Sequence, residues 1–207
     1  MFATTRAGVL SSKSPSGFVY QALSSVSAAS LITAPAGMPG DLYVVVSTVN
    51  TTLTNPAPSG CQLAASLSFS NNDTTWVHYF VETTATTRIF NFSIGVAAAC
   101  VLLYRGGEGV LLSASSNSSP AATSGVIIRA EGFLESDLVV VVPTARDEGC
   151  PTTFTTHQTE RYDWAPGTTS NSFAVGDSRP AVGTSANYEY SMSGSSPQYG
   201  YVAAVFR

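Results

Sequence analysis

The sequence predicts an all-β protein: a two-sheet antiparallel β-sandwich, jelly-roll-like, with internal duplication. Three observations predict it. Gly40-Asp41-Leu42-Tyr43-Val44-Val45-Val46-Ser47-Thr48 returns as Ser136-Asp137-Leu138-Val139-Val140-Val141-Val142-Pro143-Thr144. Phe90 to Ile94, leading into Val96 to Arg105, returns as Tyr188 to Met192, leading into Tyr199 to Arg207. Short apolar or alternating runs of strand length are separated by turn residues along the whole chain, and no long stretch carries a helical period. Two strand sets on one plan, closed face to face, satisfy all three.

The elements follow in order. Residues 1–16 are small and polar and read as an extended N-terminal arm, followed by a single sandwich domain over 17–207 with half-repeats at about 28–112 and 125–207. Gly17 to Gln21 and Ala29 to Thr33 are short strand candidates; Leu23 to Leu31 between them is too rich in serine for a helix. Pro35 to Gly40 is a turn. Asp41 to Val49 is almost continuously apolar, as in a central strand. Asn55 to Gly60 is a loop. Gln62 to Ser70 alternates, with Leu63, Ala65, Leu67 and Phe69 on one face. Asn71-Asn72-Asp73 is a hairpin tip. Thr75 to Glu82, Arg88 to Ile94 and Ala97 to Tyr104 are strands. Ser113 to Ser124 is a serine-rich loop between the halves. Gly125 to Ala130, Asp137 to Val142, Phe154 to Tyr162, Ser172 to Val175, Ala186 to Ser193 and Tyr199 to Phe206 complete about twelve strands. The last is apolar on both faces and is expected to be central.

Composition narrows the function classes. Apolar residues make up 44% of the 207, enough for a full core, and charged residues only 11%, against a usual quarter or so. Serine and threonine fill the gap at about a quarter of the chain, with a single lysine, Lys13. A hydroxyl-rich, weakly charged surface suits a protein packed in a large assembly or lying outside a cell. The net charge is −4, and the nine basic residues are scattered, so no stripe exists to neutralise phosphates and nucleic-acid binding is not expected. No run reaches the length of a membrane span, and neither Arg6 nor Lys13 leads into a secretory signal. The three cysteines, Cys61, Cys100 and Cys150, lack metal-ligand spacing. Cys100 reads as a buried small hydrophobe; Cys61 and Cys150 follow glycines at roughly matching places, which leaves a disulfide between them open.

Candidate chemistry is sparse. No Gly-x-Ser-x-Gly elbow accompanies either histidine, and His78 and His157 read as sheet-surface residues. The candidate carboxylate pairs for glycoside hydrolysis (Glu131, Glu135 and Asp137; Asp147 with Glu148; Glu160 with Asp163) all lie near turns. Asp41 and Asp137 open equivalent strands, where a carboxylate accepts from nearby turn amides. Catalytic, cofactor and metal residues are therefore expected to be none. The residues expected to touch a glycan or a partner are the aromatics Trp76, Tyr79, Tyr162 and Trp164. Trp76, His78 and Phe80 share one strand face and Val77, Tyr79 and Val81 the other, so one of Trp76 and Tyr79 is expected in the core. Trp164, in the loop-like Tyr162 to Gly167, is the leading contact candidate, and a plug for the sandwich end is its alternative. Four glycosylation sequons, at Asn50, Asn72, Asn91 and Asn117, carry no weight in this reading.

The order of several pieces resembles a β-sandwich family of tailed-bacteriophage virion proteins. These are Pro35-Ala36-Gly37, Gly40-Asp41-Leu42, Pro58-Ser59-Gly60, Leu103-Tyr104-Arg105-Gly106, Thr159-Glu160-Arg161-Tyr162 and the final Ala203 to Arg207. The resemblance spans about residues 28–207; the tryptophan that usually follows the proline-serine-glycine loop is Cys61 here. It implies a non-enzymatic decoration, head-fibre or tail-fibre component of a virion. Such a protein would be made in the host bacterial cytoplasm and would assemble with copies of itself, a trimer as first guess, and with other virion proteins. The alternative is a carbohydrate-binding module that attaches to a host-surface glycan.

Overall fold

The computed structural model describes residues 17–50, 53–70, 72–119, 123–128, 133–146, 149–154, 158–166, 171–178, 186–193 and 198–207. The expected arm, His157, Asn71, Glu131, Asp147 and Glu148 lie outside them. Thirteen antiparallel strands are described: β1 (Val19–Thr33), β2 (Leu42–Val49), β3 (Gln62–Ser68), β4 (Thr74–Val81), β5 (Ile89–Arg105), β6 (Leu111–Ser119), β7 (Thr123–Ile128), β8 (Leu138–Ala145), β9 (Thr152–Phe154), β10 (Thr159–Trp164), β11 (Ser172–Ser178), β12 (Ala186–Met192) and β13 (Tyr199–Phe206). They form a five-stranded sheet β1-β5-β2-β4-β3, a second five-stranded sheet β10-β11-β8-β13-β6, and a three-stranded sheet β7-β12-β9. The chain is thus a β-sandwich, and the first half of the sequence builds one large sheet and the second half the other.

The two sheets repeat each other strand for strand. Read from the β6 edge, the second sheet runs β6-β13-β8-β11-β10, which matches β1-β5-β2-β4-β3. Small features repeat with the strands. A register shift falls between Leu63 and Ala65 in β3 and between Glu160 and Tyr162 in β10, so both strands carry a bulge at one place. Thr48 Oγ1 donates to the Thr74 carbonyl at 3.3 Å, and Thr144 Oγ1 to the Ser172 carbonyl at 2.9 Å. The Ser93 amide donates to the Pro56 carbonyl, and the Ser193 amide to the Pro151 carbonyl. This last pair matches Phe90 with Tyr190 rather than with Tyr188. A slip of two residues keeps every side chain on its face, so the hydrophobic pattern alone does not resolve it.

Central strands are buried on both faces, which explains their continuous valine runs in antiparallel sheets, where one wet face is the usual pattern. Every residue of β2 and of β8 is buried. Leu42, Val44, Val46, Leu138, Val140 and Val142 point into a core shared by the two large sheets, together with Ala98, Cys100, Leu102, Val202, Ala204 and Phe206. The alternate residues point outward into two further cores. Tyr43, Val45, Val101 and Leu103 are covered by Phe90 and Phe92 from the start of β5 and by Ile32 from the end of β1. Val139, Val141, Ala203 and Val205 are covered by Tyr190 and Met192 of the three-stranded sheet. In the first half the covering layer is continuous with the main sheet, because β5 runs on for 17 residues; in the second half it is a separate sheet.

Several expectations need correction. Ser113 to Ser119 is not a loop but most of β6, whose exposed residues from Ser113 to Ser118 carry no apolar pattern to announce them. The two short candidates before Thr33 are one 15-residue strand. Phe154 to Tyr162 is two strands, and Trp164 ends β10 rather than lying in a loop. Leu63 is 44% exposed because the bulge at Ala64 breaks the alternation, leaving Leu67 and Phe69 as the buried residues of that segment. His78 is buried at 1% exposure, since β4 has no surface face at its middle. Trp76 and Tyr79 both pack into cores, one on each side of the sheet. All three cysteines are free; Cys61 borders the outer core of the first half and Cys150 lies in that of the second, so the sandwich stands between them and they do not pair. The final strand is central, between β8 and β6, as its two apolar faces demand.

Candidate functional site

Asp41 and Asp137 do hold turns, and each does more. Asp41 Oδ2 accepts from the Met38 amide at 2.9 Å and Asp137 Oδ2 from the Leu134 amide at 2.8 Å. Arg105 grips Asp41 through Nε and Nη2 at 3.0 and 2.9 Å, and Arg207 grips Asp137 at the same two distances. Each fork ties the last residue of a central strand, or the one just after it, to the residue that opens the neighbouring strand. Both carboxylates are buried beneath partly exposed arginines, a structural latch made twice. A third fork has no described counterpart: Arg88 reaches Glu82 at 2.8 and 2.7 Å while lying 4.1 Å over the Phe80 ring. The Arg88 hydrogen bonds hold the Glu82 carboxyl down at about 2.

The other sequence candidates are placed as follows. Trp76 stacks on His78, ring centroids 6.3 Å apart, and His78 Nε2 pairs with Asn55 Oδ1 at 2.8 Å. Burial pushes the His78 imidazole down to about 4, so it is neutral near pH 7. Tyr79 packs edge-on to Phe206 and donates to Gln62 Oε1 at 2.7 Å. Tyr162 and Trp164, half-buried, both lean on Phe173 at the rim of the central core. Glu160 and Asp163 sit in one strand with carboxyls raised by burial, and in Glu160 also by Asp163; Asp163 accepts the Thr152 amide. Among the described residues no group of three or more metal-ligating side chains comes together.

The polar centre of the molecule is one that residue patterns did not indicate. At the β1–β10 side of the sandwich, Tyr104 Oη donates to Asp177 Oδ2 at 2.8 Å. Arg161 Nε donates to the same oxygen at 2.8 Å. The Arg161 guanidinium lies 4.1 Å over the Tyr20 ring, and Tyr20 meets Tyr104 edge-on at 5.9 Å. Asp177 is 5% exposed and Tyr104 1%. A cleft of about 360 Å³ opens over this group. Phe18, Val19 and Leu138 give it an apolar wall; Thr159 and Ser178 add hydroxyls. Ser178 Oγ is buried and has no hydrogen-bond partner.

The duplication supplies an internal comparison. The matched registers set Phe206 at the place of Tyr104, Tyr79 at that of Asp177, Ala64 at that of Arg161 and Leu111 at that of Tyr20. That opposite corner is uncharged and largely apolar: Tyr79, Ala64 and Leu111 pack on the central core beside Phe206. One corner of the plan carries an ion pair and a cleft, the other greasy packing. The signal was present in the sequence once the bulges are aligned, because Gln62-Leu63-Ala64-Ala65-Ser66-Leu67 then lies over Thr159-Glu160-Arg161-Tyr162-Asp163-Trp164.

No family model, no curated protein and no solved structure matches this chain. No helix among the described residues is long and apolar enough to cross a membrane.

Proposed function

We propose that this chain is a non-enzymatic structural component of a tailed-bacteriophage virion, of the decoration, head-fibre or tail-fibre kind, that acts by assembling with copies of itself and with other virion proteins. The observation that carries the assembly reading is a pair of sheet edges left unpaired among the described residues. β1 and β6 are the matched outer strands of the two large sheets, on opposite sides of the sandwich. Among the described residues β1 pairs only with β5, and β6 only with β13. Neither strand contains a charged residue or a proline, over 15 and 9 residues. Proteins that stay apart guard such edges with lysine, proline, cover or bulges; β1 has two register shifts against β5 and β6 one against β13, and the stretches between them are regular. Placing β1 of one copy against β6 of the next is a head-to-tail contact, and a head-to-tail contact that closes on itself gives a ring, three copies being the smallest beyond a pair. The virion setting rests on the ordered sequence motifs and on the hydroxyl-rich, charge-poor surface.

Light scattering on the purified full-length chain tests the assembly. The expected mass is a small multiple of 21.5 kDa, and Ser27→Lys with Ser116→Lys, both at exposed edge positions, reduces it to one chain. A monomer at all concentrations rejects the reading. Electron microscopy of an intact particle, with this chain located in the map, tests the virion setting.

A further inference from the structure

We propose that the cleft over Tyr20, Tyr104, Arg161 and Asp177 is a binding site for a neutral pyranose ring, such as a terminal sugar of a surface glycan. Sugar binding at this cleft does not require edge-to-edge assembly, although the cleft lies beside the start of β1.

A buried ion pair is a poor source of stability, and apolar replacements of similar volume are often neutral or better. This molecule contains that replacement already, at the matched corner, where Phe206, Tyr79, Ala64 and Leu111 pack on the core with apolar and uncharged side chains. The fold therefore does not need the polar group, and a cleft of about 360 Å³ lies directly over it.

The chemistry of the cleft selects the ligand. Arg161 and Asp177 cancel each other, so the site offers no net charge to a phosphate or a carboxylate. In the described hydrogen bonds Arg161 uses only Nε, on Asp177. Its two terminal nitrogens form a planar donor pair of the spacing that suits neighbouring hydroxyls. Ser178 borders the same cleft, and its Oγ, buried without a partner, needs only a side-chain rotation to donate to or accept from a ligand. Thr159 adds a second hydroxyl, and Phe18, Val19 and Leu138 add an apolar wall. Convergent donors and acceptors around a small apolar surface match a ring bearing several hydroxyls and a few C–H faces. Aromatic stacking on an open indole is not required here, which separates this site from Trp164 and Trp76.

The test is saturation-transfer NMR and calorimetry on the full chain with methyl glycosides of neutral hexoses, 6-deoxyhexoses and N-acetylhexosamines, and with acetate and inorganic phosphate as anion probes. The first variant, Tyr104→Phe with Arg161→Ala and Asp177→Tyr, copies three of the four matched residues of the opposite corner into this one. The second, Val19→Trp, fills the cleft mouth from a position that is 50% exposed and leaves the polar group intact. At least one glycoside is expected to bind the unmodified protein, and both variants are expected to weaken it by about tenfold or more, the first by removing hydrogen bonds to a charged group and the second by occupying the ligand's space. Failure of every glycoside to bind, binding unchanged in Val19→Trp, or binding of the anions in place of sugars each overturns the proposal. Should the triple variant fail to fold, Val19→Trp still decides.

Discussion

Single residues in this protein are held by burial more than by charge, and the acid side of its stability curve should show it. His78 is neutral in the fold, with its imidazole pushed down to about 4 by burial. An unfolded chain binds that proton below its ordinary value of about 6.5. Stability from this site is complete above about pH 6.5 and falls as the pH drops through 4. Between pH 7 and 4.5 the native protein should lose about 2 kcal/mol that His78→Gln does not lose, measured by denaturant unfolding at each pH. The Glu82 carboxyl, held at about 2 by Arg88, acts in the same direction but in a lower window, from its ordinary 4.5 down to about 2. The two effects are therefore separable. An equal acid response in His78→Gln and the native chain would show that the imidazole is not held neutral. At this scale the latches were half legible: Asp41 and Asp137 announced themselves by opening matched strands, whereas Arg105 and Arg207 read only as strand ends. The Tyr104–Asp177–Arg161 group was not legible without the alignment of the bulges, which only the structure supplies. Its members lie on β5, β11 and β10, and Arg161 enters the site only because a bulge turns it there.

Elements explain where pattern reading succeeds and where it stops. β2 and β8 were legible because burial on two faces demands unbroken apolar runs. β6 was not, since an outer strand with exposed serines has the composition of a loop. β5 read as two strands because its first part stays paired with β1 but not with β2 and folds over the outer face, so its surroundings change midway; Gly95, exposed and with open space where a Cβ would stand, falls near that change. β8 even carries Pro143 in a central position, where it cannot donate to the ladder, and the described pairs between β8 and β11 skip from Thr144 to Val141. Close packing between elements is tightest at Gly200. A Cβ there would collide with Leu67 of the facing sheet and approach the Asn117 carbonyl to 2.6 Å. Gly200→Val should therefore cost about 1–3 kcal/mol, read as a lower urea midpoint with an unchanged slope, as overpacking does. A neutral result would mean that β3 and β13 are free to move apart.

The whole molecule was legible as an architecture and not as an activity. Duplication and the sandwich follow from strand repeats, while the third, three-stranded sheet and the two outer cores arise from how each half folds over its own back. Because the central core takes side chains from both halves, the halves should not melt separately. Far-ultraviolet dichroism, near-ultraviolet dichroism and tryptophan fluorescence should trace one coincident transition in denaturant. Removing Tyr199 to Arg207 should abolish it, since β13 stands between β8 and β6 and its end holds Asp137. Two resolved transitions, or a folded truncated chain, would contradict the shared core.

The shared core also constrains how such a gene can change. Tandem copies invite unequal crossing-over, which adds or removes one unit at a time. A lone unit would leave a valine-lined wall facing water, and a third would arrive with no mate for its own wall. Only even tallies can close, so the arrangement resists the drift in copy number that open-ended repeat arrays tolerate.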